Sequence, residues 1–181
     1  MITKSRLFPS FFAGFLAAVL TWGGALEFIT DKPVPNGVFT QTIVEAKLNA
    51  AREVGDGGKA IFTGGSNVLF GVDSKQFGRE TGRPSLNFGC AAGLGPELIL
   101  HLLKPMLKQG DLVVMCWEFG HYKFTRSGQV DITYLNILFG PQRDFRRNLP
   151  VQDRLSLALN LPTSHVRKAI GTAFNPYVDA E

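Results

Sequence analysis

The chain has 181 residues, of which 45% are hydrophobic and 19% charged, and its formal net charge is +4. This composition is typical of a foldable chain and excludes a disordered one. The positive charge is small and scattered, which excludes the concentrated basic surface of a nucleic-acid-binding protein. The length suffices for one membrane segment and one modest domain.

The first predicted element is an apolar helix over residues 7–29, which follows a short cytoplasmic tail (residues 1–6) containing Lys4 and Arg6. As a helix it would be about 35 Å long, enough to cross a hydrocarbon core of about 30 Å. The pattern predicts a single-pass signal-anchor in the lipid bilayer, while the small residues Gly23–Ala25 leave cleavage as a signal peptide open. The two basic residues before the helix place the rest of the chain on the periplasmic or extracytoplasmic side.

A proline-containing linker, residues 30–39, is predicted to join this helix to an α/β domain at 40–181, which opens with a helix over 40–54. Lys59–Thr63 predicts a buried strand, and two glycines then place Ser66 after a tight turn. Open α/β sheets hold their sites at this end of the strands. Ser66 is therefore either the start of a chemical site or the N-cap of the next helix.

The following predicted elements alternate helices and strands: helix 68–80 broken near Gly71, strand 84–88, helix 96–108 shortened by Pro105, and strand 112–117. This β-α-β-α-β order predicts a doubly wound parallel sheet, and the continuous apolar character of the third strand predicts cover on both faces. No fourth strand is predicted. The remainder has an apolar patch at Tyr134–Phe139 and two helices, near 152–159 and 164–170.

Three blocks stand in a characteristic order: Gly64-Gly65-Ser66-Asn67, then Asn87-Phe88-Gly89 with Gly93, then Gly110-Asp111 before a strand. They resemble the first three blocks of the SGNH/GDSL hydrolase superfamily, over roughly residues 59–123. The resemblance is to the membrane-anchored members of bacterial envelope and exopolysaccharide modification. It implies an incomplete flavodoxin-like (SGNH-type) parallel sheet with three recognisable strands. It also implies a serine esterase or O-acyltransferase acting on a glycan or lipid.

Carried over residue by residue, the resemblance implies that Ser66 is the nucleophile. Gly93, or else Gly89, would donate a backbone N–H to the oxyanion, where one such donor is worth about 2.7–4 kcal/mol. Asn67 and Glu118 would line the site.

The chain departs from the family pattern at three places. Gly65 stands where the family has Asp, and Glu118 stands where the family has an oxyanion-stabilising Asn. The third departure is the absence of the family's Asp-x-x-His block, which leaves His121 as either the base or a structural histidine. The missing further strands and the missing Asp-x-x-His block together predict a C-terminally incomplete domain that is inactive as given. The alternatives are a non-catalytic SGNH-like binding or assembly module and a truncated gene product.

The two cysteines, Cys90 and Cys116, have no metal-ligand spacing, so no metal site and no cofactor are predicted. Two buried free thiols are predicted, and a disulfide is left open. The predicted partners are the lipid bilayer through residues 7–29 and an envelope polysaccharide or acyl donor, without nucleic acid.

Two further groups have alternative interpretations. The aromatic group after the third strand forms either core or a sugar-binding groove; it comprises Trp117, Phe119, Tyr122 and Phe124. The basic group forms either a solvated face or a contact for lipid headgroups or an anionic polysaccharide; it comprises Arg143, Arg146 and Arg147.

Overall fold

The computed structural model describes residues 4–29, 38–55, 57–123, 131–139 and 142–174. Within them, the structure confirms an α/β fold with a three-stranded parallel sheet. Its strands are β1 (Ala60–Gly64), β2 (Ser85–Gly89) and β3 (Leu112–Cys116). The helices that precede β3 are α1 (Lys4–Ile29), α2 (Val38–Glu53), α3 (Ser66–Gly71), α4 (Ser74–Thr81) and α5 (Gly95–Leu103). The helices that follow it are α6 (Phe119–Tyr122), α7 (Ile132–Leu138), α8 (Arg143–Arg147), α9 (Val151–Leu159) and α10 (Thr163–Phe174).

The N-terminal helix α1 is long and apolar enough to span a membrane, judged by its length and composition. Its stretch Phe8–Ala25 has no charged residue, and none of it is buried against the rest of the described chain. Such a surface is unfavourable in water and favourable in hydrocarbon. A signal peptide would form the same helix, so the choice between anchor and cleaved signal stays a prediction. Most of the predicted linker, up to Gly37, lies outside the described residues.

The central strand of the sheet is β1, and the spatial order is β2-β1-β3. Ala60 lies opposite Ser85 in β2 and Leu112 in β3, and all three strands run in the same direction. Helices form both crossovers, α3 and α4 after β1 and α5 after β2, as parallel pairing requires. The carboxyl ends of the strands therefore meet at one end of the sheet.

One face of the sheet packs on the main hydrophobic core. Ile61 and Phe88 enter this core from β1 and β2, and the helices α5 and α7 cover it. Each fully buried large apolar side chain contributes about 1.5–3 kcal/mol relative to an exposed one. The buried helix α7 is the segment that the sequence marks only as an apolar patch at Tyr134–Phe139. On the opposite face, Phe62 meets Phe77 of α4 edge to face, with ring centroids 5.0 Å apart.

The third strand differs from the prediction that it is covered on both faces. Among the described residues β3 pairs only with β1, and its side chains Leu112 and Met115 are 44% and 55% exposed. These two side chains point to opposite faces, because successive residues of a strand alternate. The prediction is therefore wrong for the described chain, in which β3 is an apolar edge strand.

Two predicted helices are shorter than their sequence patterns. The pattern over 68–80 forms two helices, α3 and α4, and the second begins where the carboxylate of Asp73 accepts the backbone N–H of Gln76 at 2.9 Å. Helix α5 ends at Leu103, and a single 3₁₀ turn contains Pro105, which cannot continue an α-helical ladder. Short helices of this kind keep the crossovers compact.

Candidate functional site

Ser66 lies directly after the central strand, at the carboxyl end of the sheet. It is the first residue of α3, whose N-cap is Gly65 and has no side-chain cap. The interpretation of Ser66 as the N-cap is therefore wrong, because Gly65 holds that position and the Ser66 hydroxyl bonds to another side chain. The Oγ of Ser66 donates a hydrogen bond to the Oε1 of Glu118, at 2.8 Å.

Glu118 brings the start of α3 and the end of β3 together. Its Oε1 also accepts the backbone N–H of Asn67 at 3.0 Å, while the Nδ2 of Asn67 donates to the carbonyl of Cys116 at 3.0 Å. The Asn67 N–H and the Ser66 hydroxyl lower the pKa of Glu118, against the effect of burial. The Ser66 N–H and the charge that His121 acquires in acid lower it further. The carboxylate is consequently ionised at neutral pH and can only accept hydrogen bonds.

His121 is buried beside this pair. Its Nδ1 accepts the backbone N–H of Glu118 at 3.0 Å, and its ring meets Trp117 edge to face with centroids 5.2 Å apart. An accepting Nδ1 assigns the proton of the neutral ring to Nε2. Nε2 has no hydrogen-bond partner within the part of the chain that the structure describes. His121 thus adjoins the site, but its accepting nitrogen faces the backbone of Glu118 and not the Ser66 hydroxyl.

The pKa of His121 is lowered, first because burial disfavours the charged ring. The negative charge of Glu118 and the backbone of Ala92 act in the opposite direction and raise the pKa of His121. Ala92 nevertheless forms no hydrogen bond with Nε2. The imidazole is therefore neutral at pH 7. A neutral ring whose accepting nitrogen is already bonded makes a structural contribution to the turn between β3 and α6.

We expect His121 to make the fold labile in acid. Its lowered pKa means that its contribution to stability is complete above its ordinary pKa of 6.5 and is lost as the pH falls through the lowered value. His121→Gln removes this titration, so the fall in melting temperature between about pH 7.5 and 5.5 should become smaller than in the wild type. Glu118 and Asp111 have lowered pKa values and titrate below this range.

Thermal unfolding followed by fluorescence in mild detergent measures this slope, and His101→Gln, on an exposed position of α5, is the matched control. An unchanged slope in His121→Gln would contradict the assignment of the acid sensitivity to this ring.

Gly65 and Glu118, two positions that depart from the family pattern, are neighbours in space. A Cβ atom at position 65 would lie 2.5 Å from the Oε1 of Glu118 and 2.8 Å from the Cε1 of His121. A side chain at position 65 is therefore incompatible with the carboxylate where it stands. The Glu118 carboxylate thus occupies the space next to Ser66 that a side chain at position 65 would need.

The two glycines predicted as oxyanion donors have different surroundings. The N–H of Gly89 donates to the Oδ1 of Asn87 at 2.9 Å, so this donor is already engaged. A Cβ at Gly93 would lie 2.6 Å from the carboxylate carbon of Asp131, whose Oδ1 accepts the N–H of Thr133 at 2.7 Å. Sequence reasoning did not find Asp131, although its position directly before a buried helix is a typical N-cap signal.

The aromatic residues after β3 do not all lie in the core. Phe119 and Tyr122 are each 74% exposed on α6, and the ammonium of Lys123 lies 4.5 Å from the Phe119 ring centroid. Trp117 is packed against the core, and Phe124 lies outside the described residues. The core interpretation is thus wrong for Phe119 and Tyr122, which leaves two apolar rings facing solvent beside the Ser66 end of the sheet.

Both cysteines are free thiols. Cys90 is buried, and its pKa is raised to about 12, because burial outweighs the opposing charge of Lys47. Cys116 is only half-buried, so the prediction of two buried thiols is wrong for this residue. Within the described ranges, no group of three or more His, Cys, Asp and Glu side chains is arranged to hold a metal ion.

Comparison of the chain with protein families, with curated proteins and with solved structures found no match. The resemblance to SGNH hydrolases therefore stays a prediction from the residue blocks of the sequence.

Proposed function

We propose that this chain is a membrane-anchored, SGNH-like serine esterase or O-acyltransferase of the bacterial cell envelope. Its domain would lie on the periplasmic or extracytoplasmic side and act on an ester of a glycan or lipid. The observation that carries the proposal is the Ser66 hydroxyl at the carboxyl end of the central strand, bonded to a carboxylate at 2.8 Å. The glycine-containing loop after β2 begins beside the end of β1, because β2 and β1 are parallel neighbours. An acyl-transfer site needs backbone donors at this end of the sheet, close to the nucleophile.

The chemistry assigned to this pair is acyl transfer. The Oγ of Ser66 attacks the ester carbonyl and its proton passes to the Oε1 of Glu118, to which it already points. The ester C–O bond then breaks, the proton passes to the departing alcohol, and an acyl-serine remains for attack by water or a glycan hydroxyl. Because the pKa of Glu118 is below its ordinary value, the carboxylate is a weak base and turnover should be slow.

The exposed rings of Phe119 and Tyr122 support a glycan or lipid as the acceptor. Apolar side chains that face solvent beside a polar group are typical of the walls of ligand sites. Their position on α6, directly after Glu118, would bring a bound acceptor to the same end of the sheet as Ser66.

A second candidate function is a non-catalytic SGNH-like module that binds partners or assists assembly. It is favoured by the double engagement of Glu118, whose Oε1 holds both the Ser66 hydroxyl and the Asn67 N–H. An ionised carboxylate so close to Ser66 repels a developing oxyanion, because both are negatively charged and the carboxylate has no hydrogen-bond donor to offer.

A serine-directed fluorophosphonate probe separates these candidates. If Ser66 is the nucleophile, the folded full chain is labelled on the peptide containing Ser66, and Ser66→Ala loses this label completely. Ser164→Ala, which removes an exposed serine of α10, is the matched control and should be labelled like the wild type. An unlabelled chain with a cooperative thermal transition would overturn the enzyme proposal and favour the binding module.

Glu118→Gln tests the base in the same assay. Loss of a general base slows reaction by about 10²- to 10⁴-fold, so labelling of this variant should be slower by that order. Labelling at or above the wild-type rate would show instead that the carboxylate restrains Ser66.

A further inference from the structure

Helix α9 presents an unusual apolar stripe to solvent. Its side chains Val151, Leu155 and Leu159 are 59%, 58% and 82% exposed. They are spaced four residues apart, so they lie on one face of the helix. Leu157, by contrast, is fully buried in the core and fixes α9 to the domain. The stripe is therefore a fixed surface of the folded domain.

A cavity of about 300 Å³ lies beside this stripe, between α9 and the membrane-spanning candidate α1. Gly23 of α1 forms one wall, and Phe139, Val151 and Leu155 contribute apolar surface. The cavity is also lined by three arginines, Arg146, Arg147 and Arg154. An apolar cavity with several guanidinium groups fits a molecule that has both a hydrocarbon part and an anionic part.

The position of Gly23 along α1 indicates the level at which this cavity would lie relative to a bilayer that α1 spans. Gly23 lies four residues, or about 6 Å along the helix axis, before Glu27, the first charged residue after Arg6. When α1 spans a bilayer, this level is the boundary between hydrocarbon and headgroups. Trp22, which is half exposed, stands at the same level, where tryptophan is favoured.

We propose that the α9 surface, defined as Val151, Leu155, Leu159, Arg147 and Arg154, docks on the membrane and binds the phosphate of an anionic phospholipid. This docking requires that α1 spans the bilayer, as in the proposed function, but it does not require that Ser66 is catalytic. Arginines bind phosphate oxygens through paired N–H groups, and the exposed leucines enter the acyl-chain boundary. The leucines favour a bilayer over a soluble polysaccharide, which has no apolar phase to receive them.

Hydrogen exchange of the full chain in nanodiscs tests this docking. Amides of α9 should exchange about tenfold more slowly in discs containing roughly 30% phosphatidylglycerol than in discs of phosphatidylcholine alone. The double variant Arg147→Gln/Arg154→Gln should lose this difference. Arg79→Gln, which removes an exposed arginine of α4, is the matched control and should retain it.

Two results would overturn the docking directly. One is equal exchange of the α9 amides in the two kinds of disc, and the other is protection of these amides that survives in the double variant. Protection produced in phosphatidylcholine discs by inorganic phosphate alone would show a free-anion site instead of a lipid site. Recovery of the chain outside the discs would overturn the membrane span and the docking together.

The docking and the enzyme proposal can fail separately. Absence of fluorophosphonate labelling with intact lipid-dependent protection would overturn only the enzyme proposal.

Discussion

Asp111→Asn should destabilise the domain by about 3–5 kcal/mol, the usual cost of removing one partner of a buried ion pair. The Nζ of Lys59 lies 2.8 Å from the Oδ2 of Asp111, and both side chains are only 2% exposed. The carboxylate also accepts the backbone N–H groups of Lys59 and Lys108, at 3.1 and 2.8 Å. Burial alone would raise the pKa of Asp111, but these hydrogen bonds and the Lys59 charge lower it overall. The variant leaves a buried ammonium without its counter-charge where β1 and β3 begin.

Urea unfolding of the full chain in mild detergent, followed by tryptophan fluorescence, measures this loss. Asp144→Asn, at an exposed position of α8, is the matched control and should change stability by less than about 0.5 kcal/mol. The double variant Lys59→Met/Asp111→Leu removes both charges and should recover most of the stability, because no unpaired charge remains. A midpoint for Asp111→Asn equal to that of the control would contradict the assigned importance of the pair.

Gly89→Ala should destabilise the domain by about 3 kcal/mol, at the upper end of the usual cost of overpacking. A Cβ at this position would lie 2.2 Å from the backbone nitrogen of Leu69 and 2.6 Å from its Cα. Backbone atoms cannot rotate away as a side chain can, so α3 must move off the end of β2. Because α3 begins at Ser66, the same variant should also lose fluorophosphonate labelling if the wild type is labelled.

Gly71→Ala is the matched control for Gly89→Ala. A Cβ there meets nothing within 4 Å, and the residue is helical, so alanine should stabilise by up to about 1 kcal/mol. The contrast between the two variants is measured by the same urea unfolding. Equal midpoints would mean that α3 does not pack on the end of β2 as closely as described.

The strands of the sheet could be predicted because each is a short apolar run between strong turn signals. The sequence predicts a strand at Lys59–Thr63 and the structure has it at Ala60–Gly64, with glycines shortly before it and at its end. Helix α7, in contrast, has no sequence pattern that identifies it as a helix. Its residues are buried on nearly every side, so the run Tyr134–Phe139 has no polar face from which a helical period could be recognised.

The Ser66–Glu118 pair could not be predicted as a contact, although both residues were named. Their adjacency depends on β3 lying beside β1, and many strand orders are compatible with one β-α-β-α-β pattern. The exposure of Phe119 and Tyr122 depends on the short helix α6, which the sequence does not mark. Local patterns thus predicted the elements, whereas the site required the order in which the strands assemble.

The central position of β1 also affects how the domain can form. Thr63 bonds to Phe88, 25 residues later in the chain, and Lys59 bonds to Asp111, 52 residues later. The central strand therefore emerges during synthesis before either neighbour, and closing such long loops costs entropy before the new contacts compensate it. If the domain is exported, its strands would complete their pairing only after Cys116 has left the translocon. If α1 also remains in the membrane, we expect a folding delay during which the chain is held there by α1 alone.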